Sequence, residues 1–332
     1  MTDTRFDVLA IGNAIVDILV HADDDFLDTH GLTKGAMELV DSATSQALYE
    51  KAGPAIECSG GSAANTVAAL ASMGGRGAFV GKVRDDQLGT VFTHDMRASG
   101  VHFDTAPATD GAATATSLVL VTPDAERTMQ TYLGACVDLG PDDIDTGEIG
   151  AAQVTYLEGY LWDPPAAKQA FVKAAEAAHE MGREVALSLS DPFCVDRHRA
   201  DFVDLVDGHV DIVFANEDEI ISLYEVDDFD AALQAVRGRC KLAALTRSAK
   251  GSVIMAGDEI HIIDAEPVAR VVDTTGAGDA YAAGFLYGYT QGEDLATAAR
   301  MGNIAAAEVI SHMGARPDVP LKDIIAERLN GA

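Results

Sequence analysis

The amino-acid sequence predicts an α/β protein in which helices flank a doubly wound, mostly parallel central sheet, with a small β-sheet lid beside it. Two observations support this fold class. Short buried strands alternate with helical segments over most of the 332 residues, which is the pattern of a parallel sheet. Residues 112–134 break the alternation, because two threonine- and valine-rich runs flank PDAE as they do in an antiparallel hairpin.

The first half of the chain begins with a buried strand that runs through Gly12 into a second extended segment ending near Val20. Gly60 and Gly61 open an alanine-rich helix that Gly74 ends. The elements predicted here are a strand over 7–11, a helix over 62–73, a strand over 78–83 and a helix over 86–99.

The second half resumes the alternation after the hairpin. Its predicted strands cover 154–159, 184–188, 211–216, 242–246, 252–256, 259–263 and 270–272. Its predicted helices cover 166–181, 217–224, 229–237 and 280–289, and two more follow.

The hairpin divides the chain into two units. Segments 17–20 and 37–40 are expected to join the hairpin in a sheet separate from the main one. The predicted lid therefore comprises 17–40 and 112–134, and the large α/β domain comprises 1–16, 41–111 and 135–332.

Composition excludes several classes of partner. The formal net charge of −30, from 53 acidic and 23 basic residues, disfavours nucleic acid and anionic membranes, so a phosphate ligand must be held by local groups. No apolar run approaches the roughly 20 residues of a membrane span, and no secretory signal is visible, so we expect a cytoplasmic protein. The four cysteines are far apart in sequence and predict neither a zinc site nor a disulfide framework.

The stretch VVDTTGAGDAYAAGFL, residues 271–286, carries the clearest chemical signal. It is interpreted as a strand, a tight turn and a helix start, so that Gly276 and Gly278 expose their amides at a helix N-terminus. Such amides lack intrahelical partners and favour an anion. Asp279 then has two interpretations of about equal weight: an N-cap, or a carboxylate beside a bound anion.

Other motifs narrow the chemistry. In open parallel sheets, ligands bind beyond the carboxyl ends of the strands, where Asn13, Asn216, Thr246 and the glycine turn are expected. The segment AIGNAIVD lacks the G-x-G-x-x-G of dinucleotide-binding proteins, and the P-loop pattern is missing from the chain. Hydride transfer and Walker-type ATP hydrolysis are therefore disfavoured.

Two long segments resemble signatures of one family. DTTGAGDAYAAGFL resembles the C-terminal signature, and GGSAANTVAALASMG followed by VGKVRDDQLG the N-terminal signature, of the ribokinase-like or PfkB-type kinases of sugars and nucleosides. GNAIVDILV, DDDFLDTHGLTKG and SLSDPF most resemble the adenosine kinases of that family. The chain has GGSAAN where those enzymes often have GGSTQN, a departure that bears on the acceptor.

The resemblance implies an enzyme that transfers phosphate from ATP to the 5′ hydroxyl of adenosine, giving AMP and ADP by in-line displacement in purine salvage. It implies ATP and Mg²⁺ as cofactors and is compatible with K⁺ near the anion loop. The partners are small molecules, and the protein is a monomer or a homodimer. The alternatives are a kinase of fructose, ribose or a 2-keto-sugar acid, and a nucleoside-binding sensor without catalysis.

The resemblance also assigns catalytic roles. Asp279 is expected to be the general base for the 5′ hydroxyl, which a carboxylate can be because phosphoryl transfer needs the proton accepted late. The amides of Gly276, Ala277 and Gly278 are expected to stabilise charge on the transferring group. Arg127 corresponds to a lid arginine that neutralises phosphate oxygens; its alternative is a solvated hairpin residue.

On the substrate side, Asp17 and Asn65 are expected to bind the ribose hydroxyls, with Gly61 allowing close backbone approach. Their alternatives are a turn aspartate and a first-turn asparagine. For Tyr160 and the single tryptophan, Trp162, core packing is the alternative to a purine wall. The substrate-side residues are Asn13, Asp17, Gly60, Gly61, Asn65, Met129, Thr131, Tyr160 and Trp162.

On the nucleotide side, Asn216 and Glu219 match the N-x-x-E motif, in which Glu219 would organise magnesium through water. The alternative is an asparagine cap with an exposed glutamate. Thr246, Arg247 and Gly251 resemble a nucleotide-binding loop, where Arg247 is otherwise a solvent-facing charge. Asn303 is expected where a second packed helix passes the ATP base.

Overall fold

The structure is a computed structural model that describes residues 4–124 and 126–330. Its strands are β1 (Phe6–Ile11), β2 (Ile15–His21), β3 (Met37–Leu39), β4 (Ala55–Gly60), β5 (Gly77–Val80), β6 (Ala115–Val121), β7 (Arg127–Tyr132), β8 (Ala152–Glu158), β9 (Glu184–Ser188), β10 (Ile212–Asn216), β11 (Leu242–Thr246), β12 (Ser252–Ala256) and β13 (Glu259–Ile263). Its α-helices are α1 (Asp24–His30), α2 (Ser42–Tyr49), α3 (Ser62–Ser72), α4 (Gln87–Ala98), α5 (Thr146–Gly150), α6 (Pro165–Glu180), α7 (Pro192–Gly208), α8 (Glu217–Tyr224), α9 (Phe229–Val236), α10 (Ala277–Gln291), α11 (Leu295–Val309) and α12 (Leu321–Asn330).

Eight strands form the large sheet, in the order β13-β12-β11-β10-β9-β8-β1-β5. The pairs from β5 to β11 are parallel, and the pairs β11–β12 and β12–β13 are antiparallel, so β12 runs opposite to the other strands of this sheet. Except for the exposed edge strand β13, these strands are buried and rich in valine and alanine, because helices cover both faces of a parallel sheet. The predicted α/β fold with a mostly parallel sheet is confirmed.

The small sheet has five strands in the order β3-β7-β6-β2-β4. The hairpin predicted over 112–134 forms β6 and β7, which pair antiparallel. The prediction placed residues 55–60 in the large domain, but they form β4, the edge strand beside β2. Their run AIECSG lacks a clear alternation of apolar and polar residues, so only pairing with β2 reveals the strand.

Two apolar clusters cover opposite faces of the large sheet. One joins α3, α10 and α11 to the back of the small sheet, where Leu118 and Leu120 face Leu27 of α1 and Leu48 of α2. The other joins α6 and α7 to the opposite face. The small sheet is therefore fixed to the main body by its back, which leaves its front face for the site.

The strand predicted over 270–272 is wrong. This segment is extended but pairs with no strand; instead the Val272 amide donates to the Ile310 carbonyl at the end of α11, at 2.8 Å. Val271 is exposed, which explains why its strand propensity has no effect. The four cysteines are free thiols, as expected. Within the described residues, no helix combines the length and the apolar character needed to cross a membrane.

Candidate active site

The glycine turn opens α10, as the sequence predicts. Gly276 is the N-cap with φ of +76°, and a Cβ there would lie 2.5 Å from the Ala315 carbonyl oxygen. No side chain caps this helix, and the space beside Gly278 is open. The Ala277 amide donates to the Thr274 carbonyl at 3.2 Å. An uncapped, glycine-lined N-terminus of a long helix suits the oxygens of a phosphoryl group.

Asp279 is not the N-cap of α10, because it lies in the first turn and its carboxylate turns toward α3. The Ser62 hydroxyl donates to Oδ1 at 2.6 Å, and the Asn65 amide nitrogen lies 3.4 Å from Oδ2. Burial raises the pKa of Asp279 to about 6, while the two hydrogen bonds oppose this rise. A carboxylate with that pKa is a better base near neutral pH than an ordinary aspartate.

Asp17 lies on β2 and faces the same cleft. Asp17 pairs across the small sheet with Cys58 of β4 and Ser117 of β6, and Ser117 pairs with Thr131 of β7. These four side chains therefore form one row on the front face of the small sheet. A Cβ at Gly60 would overlap the Asp17 carboxylate, so only glycine allows this approach. Burial raises the pKa of Asp17 to about 6, and nearby arginines oppose the rise.

The next row of the front face is entirely apolar. Met129 of β7 pairs with Val119 of β6 and Met37 of β3, and Leu19 of β2 pairs with Val119 and with Ile56 of β4. Met37 and Ile56 are exposed at the two ends of this row. We call these five residues the apolar row; it lies one pair away from Asp17 and includes Met129, one of the residues expected on the substrate side.

Arg127 lies at one end of the front face of the small sheet and is not exposed to solvent. Its side chain is only 8% exposed, and Nη2 lies 2.6 Å from Asp273 Oδ2. Asp273 also accepts from the amides of Thr275 and Gly314, both at 3.0 Å. Although the ion pair is close, Nε and Nη2 lack a well-directed hydrogen bond. The guanidinium therefore lies beside the glycine turn, paired with the buried Asp273.

Asn13 and Gly61 are held together by a buried glutamate that the sequence reasoning missed. Glu158, at the end of β8, accepts from the Asn13 side-chain amide at 2.7 Å and from the Ala63 backbone amide at 2.8 Å. Burial raises the pKa of Glu158 to about 7. Gly61 has φ of +95°, and a Cβ there would overlap the Asn13 carbonyl oxygen. The start of α3 is thereby fixed against the end of β1.

Trp162 does not belong to the site. Its ring is 4% exposed, packs between Phe171 of α6 and Phe202 of α7, and donates from Nε1 to Asp201 at 2.9 Å. The prediction of a purine wall is wrong for this residue, because the turn after β8 directs the indole into the core.

Tyr160 is half-buried, packs against the same cluster and donates its hydroxyl to the Ser190 carbonyl at 3.3 Å. Ser190 itself has φ of +75°, an unusual conformation for a serine. The tyrosine thus supports the turn that follows β9 instead of lying on the apolar row.

Asn216 and Glu219 form a capping box at the start of α8. The Asn216 oxygen accepts from the Glu219 amide at 2.9 Å, and Glu219 accepts in return from the Asn216 backbone amide at 3.0 Å. Glu219 is buried, not exposed, and burial with the nearby charge of Asp191 raises its pKa to about 7.

The part of the chain that the structure describes contains no cluster of three or more metal-ligating side chains. Mg²⁺ commonly uses only one or two carboxylates with water and substrate phosphates, so Glu219 with Asp191 nearby fits that ion.

The remaining nucleotide-side residues are at the end of β11 and on α11. Arg247 pairs with Glu217 at 3.0 Å and covers the Phe229 ring, so it is not a free solvent-facing charge. Gly251 has φ of +81° at the turn into β12. Thr246 ends β11, and Asn303 donates from its buried amide to the Asp264 carbonyl at 3.0 Å.

Arg316 is a second residue that the sequence reasoning missed. It lies between α11 and α12, and its Nε donates to Asn65 Oδ1 at 3.0 Å. Its neighbours by charge include Asp17, Asp95 and Asp279. No motif marked it, because its role depends on a contact 251 residues apart in sequence.

A family model described as pfkB family carbohydrate kinase matches residues 52–322. The fold is similar to a structure titled as a probable sugar kinase from Rhizobium etli, with 52% identity, a TM-score of 0.91 and 99% of both chains covered. An adenosine kinase structure from Sinorhizobium meliloti is 54% identical with a TM-score of 0.91, covering 98% of this chain and 99% of that one. Adenosine kinase from Saccharomyces cerevisiae is 27% identical over 96% of this chain and 98% of its own length.

The chain belongs to the PfkB family of carbohydrate and nucleoside kinases. It is a phosphotransferase with an alcohol acceptor, and the family uses ATP with a small-molecule acceptor. Its structural relatives are adenosine kinases and sugar kinases, as the resemblance of the two signature segments predicts.

Proposed function

We propose that this kinase phosphorylates the 5′ hydroxyl of adenosine with ATP, giving AMP and ADP. The observation that supports it best is the apolar row beside Asp17. A carboxylate suits the paired 2′ and 3′ hydroxyls of a ribose, and the adjacent row of five apolar side chains offers the flat contact that a purine needs. A free sugar would leave that row without a partner. The 54% identity to an adenosine kinase structure supports the same acceptor.

In the proposed mechanism, Asp17 and Asn65 orient the ribose so that its 5′ hydroxyl faces Asp279. Asp279 accepts the hydroxyl proton as the oxygen forms its bond to the γ-phosphorus and the bond from phosphorus to the ADP oxygen breaks. The turn at Gly276 and Gly278 and the guanidinium of Arg127 stabilise charge on the transferring group.

Magnesium would be held by the phosphates and, through water, by Glu219, where it would neutralise phosphate charge. The Asn216 cap holds Glu219 in place for this role. The proposal thus places acceptor binding on the small sheet and the phosphates at the ends of the large sheet.

The test is the initial rate of ADP release from Mg-ATP with adenosine, inosine, guanosine, ribose and fructose compared side by side. We expect turnover chiefly with adenosine. Preference for a free sugar would contradict the acceptor but leave the kinase chemistry, and no turnover with any acceptor would favour a binding protein without catalysis.

Two variants distinguish a role of Met129 in binding the purine base from a general effect of the substitution on stability. Met129→Asn should lower kcat/KM for adenosine by about tenfold or more and leave any activity on ribose unchanged, since one lost apolar contact is worth about 1–3 kcal/mol. Met181→Asn is the matched control, because Met181 is exposed at the end of α6, away from the apolar row. Equal effects of both variants would contradict the proposed wall.

A further inference from the structure

Arg316 connects the segment between α11 and α12 to two helices, α3 and α4. Its Nε donates to Asn65 Oδ1 on α3 at 3.0 Å, and its Nη2 lies 3.5 Å from the sulfur of Met96 on α4. The titratable groups that face it are Asp17 on β2, Cys58 on β4, Asp95 on α4 and Asp279 on α10. One guanidinium is therefore the electrostatic neighbour of three carboxylates, Asp17, Asp95 and Asp279.

The hydrogen bond to Asn65 determines which way that amide points. Because Oδ1 accepts from Arg316, the Asn65 nitrogen must be the atom that faces Asp279 Oδ2, at 3.4 Å. A flipped amide would place two oxygens against each other and leave the arginine facing a donor. Arg316 thus holds Asn65 in the orientation that supports the carboxylate.

We propose that Arg316 is a positioning residue for phosphoryl transfer, acting on Asp279 through Asn65 and keeping both Asp17 and Asp279 ionised by its charge. This inference rests on the proposed roles of Asp17 and Asp279. Arg316 need not touch either substrate to act in this way, since its contacts are to Asn65 and Met96.

The electrostatics agree with that geometry. Burial raises the pKa of Asp17 and of Asp279 to about 6 each, and the positive charge of Arg316 opposes both rises. Asp279 also raises the pKa of Asp17, so two neighbouring carboxylates must be ionised together. Tyr156 and Glu158 are further neighbours of Asp279, and both are held toward their neutral forms by burial. Removal of the Arg316 charge should therefore move proton uptake at the pair to higher pH.

Two substitutions distinguish the effect of the Arg316 charge from its effect on the orientation of the Asn65 amide. Arg316→Gln removes the charge but keeps an amide donor for Asn65, whereas Arg316→Lys keeps the charge but lacks the planar guanidinium. Arg97→Gln is the control, because Arg97 is bonded to Phe103 and Asp104 on the outer side of α4. The measurement is kcat/KM for the acceptor as a function of pH at saturating Mg-ATP, with thermal unfolding of each variant recorded in parallel.

For R316Q we expect the acid limb of the profile to move up by about one pH unit, which lowers kcat/KM near pH 6 by about fivefold. For R316K we expect an unmoved acid limb and a plateau that is lower by about tenfold, because the Asn65 amide is no longer fixed. The control should keep both features of the unmodified enzyme.

An acid limb for R316Q that coincides with the unmodified enzyme, or variants that lose only thermal stability, would overturn the inference. If R316Q does not fold, R316K still decides it, since a plateau equal to that of the unmodified enzyme would contradict the positioning role. Asp279→Asn distinguishes failure of the proposed base from failure of the proposed positioning residue. Retained turnover in that variant would refute the role of Asp279 as the base. Lost turnover in that variant, together with an unchanged pH profile for R316Q, would refute only the role of Arg316.

Discussion

At the scale of single residues, Asp279 shows how a common side chain acquires the properties of a base. Its position in the first turn of α10 brings it within 2.6 Å of the Ser62 hydroxyl, and burial raises its pKa to about 6. The hydrogen bonds favour the ionised form, so the carboxylate is oriented and still ready to accept a proton near neutral pH.

The substitution Asp279→Asn tests this role. The amide keeps an oxygen for Ser62 but cannot accept the hydroxyl proton, so turnover should fall by at least about a hundredfold while the adenosine Kd stays within about tenfold. ADP release measures the first quantity and calorimetry the second. Asp258→Asn, at a 99% exposed side chain, is the control. Equal losses of binding and turnover would argue against a base that acts mainly in the transition state.

At the scale of elements, the start of α3 is the junction on which the site depends. Gly60, Gly61, Ser62 and Asn65 follow one another there, and they contact Asp17, Asn13, Asp279 and Arg316, respectively. Glu158 fixes this helix start by accepting the Ala63 amide. A shift of the junction would therefore move the proposed acceptor-binding and catalytic groups together.

Gly61→Ala should disturb this junction strongly. The residue has φ of +95°, and the added Cβ would overlap the Asn13 carbonyl, so we expect a loss of about 3 kcal/mol or more in the free energy of unfolding. Gly100→Ala is the matched control, with φ of +84° and open space around its Cβ position, and should cost about 1 kcal/mol. Urea denaturation measures both, and similar losses would show that the contact with Asn13 is unimportant.

At the scale of the whole molecule, the dominant property is negative charge. The net charge of −30 produces self-repulsion in the compact state, which salt screens. Raised pKa values at four buried carboxyls make the folded state less stable as pH rises; these are Asp17, Asp279, Glu158 and Glu219. Glu158 and Glu219 have pKa values raised to about 7 from 4.5, so the folded state binds more protons than the unfolded state between these values.

Stability should therefore fall as pH rises through that window, and Tm should be higher near pH 6 than near pH 8. Raising NaCl from about 0.05 M to about 1 M should increase Tm at both values, because it screens the surface repulsion. Calorimetry at both pH values and both NaCl concentrations distinguishes the two contributions to Tm. The contribution of the buried carboxyls should remain at high salt, whereas the surface repulsion should be screened. A Tm that rises toward pH 8 would contradict this account.

The sequence predicted those parts of the site that lie within one contiguous segment. The glycine turn before Asp279 and the pair Gly60 and Gly61 have local backbone requirements that only certain residues meet, so they are visible without a structure. The N-x-x-E segment likewise forms a local capping box. The error at 270–272 arose because strand propensity has no effect where no neighbouring strand is present.

The sequence by itself determined the α/β fold, the second sheet and the glycine turn at the start of α10, since periodicity and turn chemistry act over a few residues. Only the tertiary structure decided that Trp162 belongs to the core, that β4 joins the small sheet, and that Glu158 and Arg316 contact the start of α3. These assignments depend on contacts between residues far apart in the chain, and burial, which raises the pKa values of Asp17 and Asp279, exists only once the elements have packed together.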